Sequence, residues 1–204
     1  MKYLAFDTSA SRLSVAVGGN KKIAQSVEEC FHSHSVILMK EIENALGKSE
    51  TELKDIDVFA CSIGPGSFTG IRIGVSTAKA FAYALSKKVL GVTSFESLAY
   101  NIVEKAKKLT VIDARHDNFY ACGFDENNEV IIPPCFKTKQ EIIDLYGDFL
   151  IVSDVEIDGL SCVKGNLFDG FIKAVEAKID NATYDRESLI PLYVKKSQAE
   201  EELC

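Results

Sequence analysis

A chain of 204 residues, 47% hydrophobic and 26% charged, has globular composition, and at this length roughly 70% of the unfolded surface is buried on folding. Disorder, collagen, a coiled coil and a membrane-embedded chain are excluded on those grounds. The 23 Lys and Arg against 30 Asp and Glu leave a net charge of −7, and the longest basic stretch is only Lys105-Ala-Lys107-Lys108; nucleic acid is therefore expected to be reached through a partner and not gripped directly.

In chain order, Tyr3-Leu-Ala-Phe-Asp7 and Leu13-Ser-Val-Ala-Val17 are predicted as the first two strands, joined by a polar turn. Gly18-Gly-Asn20 predicts a hairpin into a third strand near 22–28. A helix is expected over 35–46, stopped by Gly47 as its C-terminal cap, and Ser49-x-x-Glu52 reads as the capping box of a short helix. Val58-Phe-Ala-Cys-Ser-Ile63 predicts a buried strand, 69–86 a long helix and Val89-Leu-Gly-Val92 a short strand. Thr93-x-x-Glu96 caps the next helix, expected to reach about Lys107.

The second half echoes this order. Leu109-Thr-Val-Ile-Asp113 stands 106 residues after Tyr3-Leu-Ala-Phe-Asp7, and Phe119-Tyr-Ala-Cys-Gly123 falls in register with the strand at Leu13. Strands are expected to about Ile132, then a break at Pro133-Pro134, then Thr138-x-x-Glu141 capping a helix that stops at Gly147. Phe149-Leu-Ile-Val152 is the next strand and 167–179 the last helix. The order β-β-β-α-β-α, stated twice, predicts an α/β fold of two lobes, 1–107 and 108–204, each a mixed sheet with packed helices. This is similar to the duplicated architecture of the actin, sugar kinase and Hsp70 superfamily.

The opening residues 1–7 hold an apolar run of only four side chains, 3–6, before Asp7, too short for the apolar region of a signal peptide, and no later run approaches a membrane span. The six cysteines, Cys30, Cys61, Cys122, Cys135, Cys162 and Cys204, form no C-x-x-C pair, so reduced structural thiols in the cytoplasm are expected.

The most unusual segment is Gly64-Pro-Gly-Ser-Phe-Thr-Gly-Ile-Arg-Ile-Gly74, between a strand and a helix. Free N–H groups at a helix start attract anions, but Ile71 stands where a Walker A loop needs Lys, and Thr69 where a dinucleotide loop needs glycine. Phosphate binding and a tight turn built on Gly64, Gly66, Gly70 and Gly74 both stay open, with Ser67 and Thr69 serving loop and helix-start amides. Asp7 and Asp113 read either as magnesium ligands or as strand-end turn residues, and neither Asp7-Thr8-Ser9 nor Asp113-Ala114-Arg115 has the glycine of a phosphate hairpin. A small ATPase or kinase of the same fold is the rival reading. The three histidines, His32, His34 and His116, form no H-x-x-x-H pair, since Leu38 stands four residues after His34. No Gly-x-Ser-x-Gly elbow occurs.

The helix over 69–86 carries only Arg72 and Lys79 as charges. Its inner face is expected to be Ile73, Thr77, Phe81, Ala84 and Leu85, and its outer stripe Arg72, Val75, Ser76, Lys79, Ala82 and Tyr83. Ile37 and Glu41 are expected on the outer face of the preceding helix. Two weakly charged outer faces side by side suggest a protein-binding surface, unless another element of the chain covers them.

The run at 64–74, with Asp7-Thr8-Ser9, His34-Ser35, Thr93-Ser94, Asp113-Ala114-Arg115 and Pro191-Leu192-Tyr193, resembles the TsaB (YeaZ) family. The resemblance implies a noncatalytic accessory subunit, without a cofactor of its own, in making the threonylcarbamoyladenosine of tRNA. It implies a heterodimer with TsaD, the subunit that transfers the threonylcarbamoyl group to the adenosine beside the anticodon. It further implies an ATP-dependent complex with TsaE, a donor made by TsaC, ATP used by those partners, and tRNA contacted only through the complex. Pairing through the helices near 35–46 and 69–86, as a homodimer or with TsaD, is expected, with no membrane association.

Overall fold

The computed structural model describes residues 1–19, 24–29 and 34–195, with 24–29 and 34–35 described by backbone alone. The turn residue Asn20 and also Cys30, His32 and Cys204 lie outside the described residues.

Strands β1 (Tyr3–Asp7), β2 (Arg12–Gly18) and β3 (Ala24–Glu29) form an antiparallel meander. Helix α1 (His34–Lys48) crosses to β4 (Val58–Gly64), which pairs parallel with β1. Helix α2 (Phe68–Leu85) crosses to β5 (Lys88–Thr93), parallel with β4, giving the order β3-β2-β1-β4-β5. After α3 (Ser94–Asn101) the pattern recurs in β6 (Lys108–Asp113), β7 (Asn118–Phe124) and β8 (Val130–Thr138). Then come α4 (Lys139–Leu145), β9 (Leu150–Ser153), the short β10 (Val163–Lys164) and α5 (Leu167–Lys178), with sheet order β10-β9-β6-β7-β8. This is a duplicated α/β fold, two five-stranded mixed sheets with the same strand arrangement and packed helices. Parallel central strands are covered on both faces, which is why β4 reads as an unbroken apolar run.

One face of the first sheet, with Leu4, Phe6, Val15 and Phe59, packs under α1 and α2. Its other face, with Tyr3, Ala5, Ala60 and Val92, packs under Phe171, Ile172 and Val175 of α5. Helix α3 goes the opposite way, and its Phe95 and Ala99 meet Cys122 and Phe124 of the second sheet. The last helix of each half therefore covers the sheet of the other half. The two helices meet where a Cβ on Gly170 would overlap the Ser97 carbonyl oxygen, so only glycine permits that approach. Glu96 of α3 and Lys178 of α5 form an ion pair beside the crossing.

Four sequence expectations are corrected. Helix α1 runs past Gly47 to Lys48, and the chain reverses at Glu50, with φ 50°. Ser49 cannot cap the next turn, because its N–H bonds Ala45 O (3.1 Å) and its hydroxyl donates to Leu46 O (2.9 Å) within the end of α1. Helix α3 ends at Asn101 and not near Lys107, where the Asn101 amide oxygen accepts the Asn166 N–H (2.9 Å) and its carbonyl accepts Lys173 Nζ (3.4 Å). Pro133 and Pro134 do not end β8 but stand where its register to β7 slips, between Ala121–Cys135 and Gly123–Ile132, an irregularity that an edge strand tolerates.

The repeat also slips. Asp7 sits opposite Ser14, but Asp113 sits opposite Phe119, so the second hairpin is one residue shorter. Asp7 shares its strand face with Tyr3 and Ala5 toward α5, whereas Asp113 shares its face with Leu109 and Val111 toward α4. The two carboxylates that align in sequence thus point to opposite sides of their sheets.

Candidate functional site

Helix α2 is held on its sheet by small residues. Gly70, Gly74, Ala78 and Ala82 recur every four positions on the buried side, flanked by Ile71 and Val75. The Ser67 side chain caps the helix by accepting the Gly70 N–H (3.2 Å), and Ser86 ends it in a left-handed conformation (φ 52°). The 64–74 segment seats this helix on the turn after β1. Ser67 N–H donates to Ser9 O (2.7 Å), and the Thr8 hydroxyl donates to Gly70 O (2.7 Å). Gly64 is buried against Ile71, and Gly66 faces Ser9 O. The amides of Ser67, Gly70 and Ile71 are all bonded within the chain, so the glycines serve close packing. Below them Ser9 donates twice to Asp7, from its N–H (2.7 Å) and its hydroxyl (2.6 Å), and accepts from Ser62 (3.1 Å).

Close seating turns α2 about one residue position, ~100°, from the orientation expected. Val75 is 5% exposed and Ala82 fully buried, so neither lies on the outer stripe. Glu41 is likewise buried, at 4%, and is held by the Asn44 amide (3.0 Å); Ile37 is half-buried against the core. Arg72, Ser76 and Tyr83 are exposed, and Lys79 is half-buried. The sequence reading missed Ala80 and Ala84 on the exposed side of α2, and Val36 and Met39 on α1. The four-residue spacing of Gly70, Gly74, Ala78 and Ala82 is the signal that the small row faces the sheet.

Residues 183–194 return as a strap along one flank of α2. Thr183 and Val89 exchange backbone hydrogen bonds (2.8 and 3.0 Å), Leu189 is buried in the core, and Leu192 N–H donates to Ile63 O (2.8 Å). Arg72 Nε donates to the Tyr193 hydroxyl (2.9 Å) and its guanidinium lies over Phe68 (3.8 Å). Lys79 pairs with Glu187 (3.7 Å), and Arg186 lies over Tyr83 (5.7 Å). Part of the expected stripe is thus bordered by the chain itself, and the open row is Ser76, Ala80, Tyr83 and Ala84.

Two hollows flank the turn after β1. One, of about 810 Å³, is lined by Asp7, Arg12, Asp154, Lys164 and the start of α5. Burial, then the charge of Asp113, raises the Asp154 carboxyl above its ordinary range. The other, of about 470 Å³, lies between Ser67 and the β6–β7 turn, where Arg115, His116 and Asp117 are all left-handed (φ 70°, 55° and 55°). Among the described residues no group of three or more His, Cys, Asp or Glu side chains is placed to hold a metal ion. No helix of the described residues is long and apolar enough to cross a membrane.

The family model described as TsaD, tRNA N6-adenosine threonylcarbamoyltransferase, matches residues 14–158. A Bacillus subtilis (strain 168) protein named tRNA threonylcarbamoyladenosine biosynthesis protein TsaB is 35% identical over 138 residues, 65% of this chain and 60% of that protein. The Escherichia coli (strain K12) protein of the same name is 33% identical over 132 residues, 62% of this chain and 57% of that protein. The chain thus spans about six-tenths of the length of such relatives. A solved structure of YeaZ from Pseudomonas aeruginosa superimposes with a TM-score of 0.79 at 20% identity, covering 94% of this chain and 99% of that one.

Proposed function

Because the chain belongs to the TsaB (YeaZ) family, we propose that it is a noncatalytic subunit in making the threonylcarbamoyladenosine of tRNA. It docks on a TsaD-type transferase through the exposed side of α2 and the neighbouring face of α1, and holds that partner in a productive shape. Its contribution is contact surface. ATP is used by the partner proteins, a TsaE-type ATPase joins the complex, and tRNA is reached only through the assembly, in the cytoplasm. Alone, the chain pairs with itself through the same face.

The observation that carries this reading is the row Ser76, Ala80, Tyr83 and Ala84. It is exposed and uncharged, small except for a tyrosine 78% exposed, and it lies on a helix with no acidic residue. Small residues let a second helix approach closely, and exposed aromatics are enriched where proteins meet. Val36 and Met39 of α1 are exposed apolar side chains as well, at 77% and 43%. The variant Ala80→Arg changes only this surface. It should abolish co-purification with the TsaD of the same organism while its thermal unfolding by circular dichroism stays as in the parent. Retained co-purification would remove α2 from the interface.

A further inference from the structure

The strap gives this face a second chemistry. Three cation–ring pairs join it to its neighbours: Arg72 over Tyr193 (5.9 Å), Arg186 over Tyr83 (5.7 Å) and Lys88 over Tyr184 (5.5 Å), and Arg72 also lies over Phe68 of its own helix (3.8 Å). Such pairs occur about once per 70–80 residues, so three along one short strap are a local concentration. The backbone beneath them is fixed by Thr183, Leu189 and Leu192, which presents the side chains with little left to order on binding. Neither Arg72 nor Arg186 has a carboxylate partner among the described residues, whereas Lys79 has Glu187. In a chain of net charge −7, an uncharged helical row is thus bordered by two guanidiniums held against rings, while the strap's own acids are engaged elsewhere, Asp185 by the Glu187 N–H (3.1 Å) and Glu187 by Lys79 (3.7 Å).

We infer that the strap is part of the docking face and selects a partner whose rim carries carboxylates opposite Arg72 and Arg186. The inference rests on the reading that the exposed row of α2 docks a partner. Arginine and tyrosine are the side chains that most often dominate interface energetics, and a guanidinium on a ring is already oriented to receive a carboxylate in a fork. A second copy of this chain is the poorer occupant. Two-fold antiparallel pairing of α2 turns Arg72 of each copy toward Arg186 of the other, so cation faces cation across the contact.

The test measures affinity of the full chain for its TsaD by titration calorimetry at low and high salt, with R72E/R186E and the charge-removing R72Q/R186Q alongside. The reversal is expected to weaken binding about tenfold or more and to abolish its salt dependence, with the neutral variant intermediate and all three melting alike. Self-association of the parent chain, followed by sedimentation, should weaken as salt is lowered. If Ala80→Arg abolishes binding while both arginine variants keep the parent affinity and salt dependence, the strap inference falls and the docking surface stands. If Ala80→Arg binds normally as well, the docking reading itself falls. Self-association that tightens at low salt also counts against the inference.

Discussion

Gly74 offers a quantitative check on how α2 is seated. A Cβ there would come 2.6 Å from the Thr8 hydroxyl oxygen, with Cys61 Cβ next at 3.9 Å. An ordinary carbon–oxygen contact is well beyond 3 Å, so either the helix lifts by several tenths of an ångström or Thr8 rotates away. Rotation breaks the buried hydrogen bond from Thr8 to Gly70 O (2.7 Å), and lifting loosens the row Gly70, Ala78 and Ala82. Overpacking costs about 1–3 kcal/mol and an unmade buried hydrogen bond about 1–3 kcal/mol, against ~1 kcal/mol gained in helix propensity. Since one cost or the other applies, the net expectation for Gly74→Ala is a destabilisation of up to about 2 kcal/mol, up to roughly 8 °C in melting temperature for a chain of this size. Gly47, also helical, has nothing within 4 Å of an added Cβ, so Gly47→Ala should be stabilising by up to ~1 kcal/mol. In a Thr8→Ala background the clash is gone, and Gly74→Ala should become neutral or better. Equal and additive costs in both backgrounds, read from calorimetric melts, would refute the reasoning.

Other consequences follow from the same contacts. Val75→Glu or Ala82→Arg places an unpaired charge in the core and should cost about 4–5 kcal/mol or unfold the chain; a parent-like melt would contradict the seating of α2. Glu141 accepts the Thr138 N–H, pairs with Lys137 and accepts the Thr138 hydroxyl, which lowers its carboxyl from 4.5 to about 2. Because the folded value lies below the unfolded one, its contribution is present above about pH 4.5 and is lost as the pH falls toward 2. Carboxyl chemical shifts should show that order, and an unshifted Glu141 would dismiss the capping box of α4. Burial raises the Cys61 thiol, and raises that of Cys122 to about 12. At pH 8 both should resist alkylation while half-buried Cys162 is modified; equal labelling of Cys122 would contradict its burial.

The element order and the capping boxes at Thr93-Glu96 and Thr138-Glu141 were legible in the sequence because each depends on a few neighbouring residues. Features that depend on distant partners were not. The length of α3 is set by Asn101 bonding to Asn166 and Lys173, far along the chain. The tolerance of Pro133 and Pro134 follows from β8 lying at an edge and from its slipped register to β7 at those residues, which only the assembled sheet reveals. The phase of α2 was misread because side-chain size points large residues inward, whereas here the Thr8–Ser9 turn requires glycine at the contact. Hence Val75, Ala82 and Glu41 were assigned to a surface they do not reach, and Ala80 was overlooked. The strap was invisible because Thr183, Leu189 and Tyr193 gain meaning only from Val89, Ile63 and Arg72.

Hydrogen–deuterium exchange on the whole chain, with and without the TsaD of the same organism, bears on docking without altering a residue. Peptides covering α2, residues 68–85, together with those covering 183–194, should exchange more slowly in the mixture, while β8 at the far edge should not change. Protection confined to the second sheet, or unchanged exchange along α2 in a verified complex, would contradict the account.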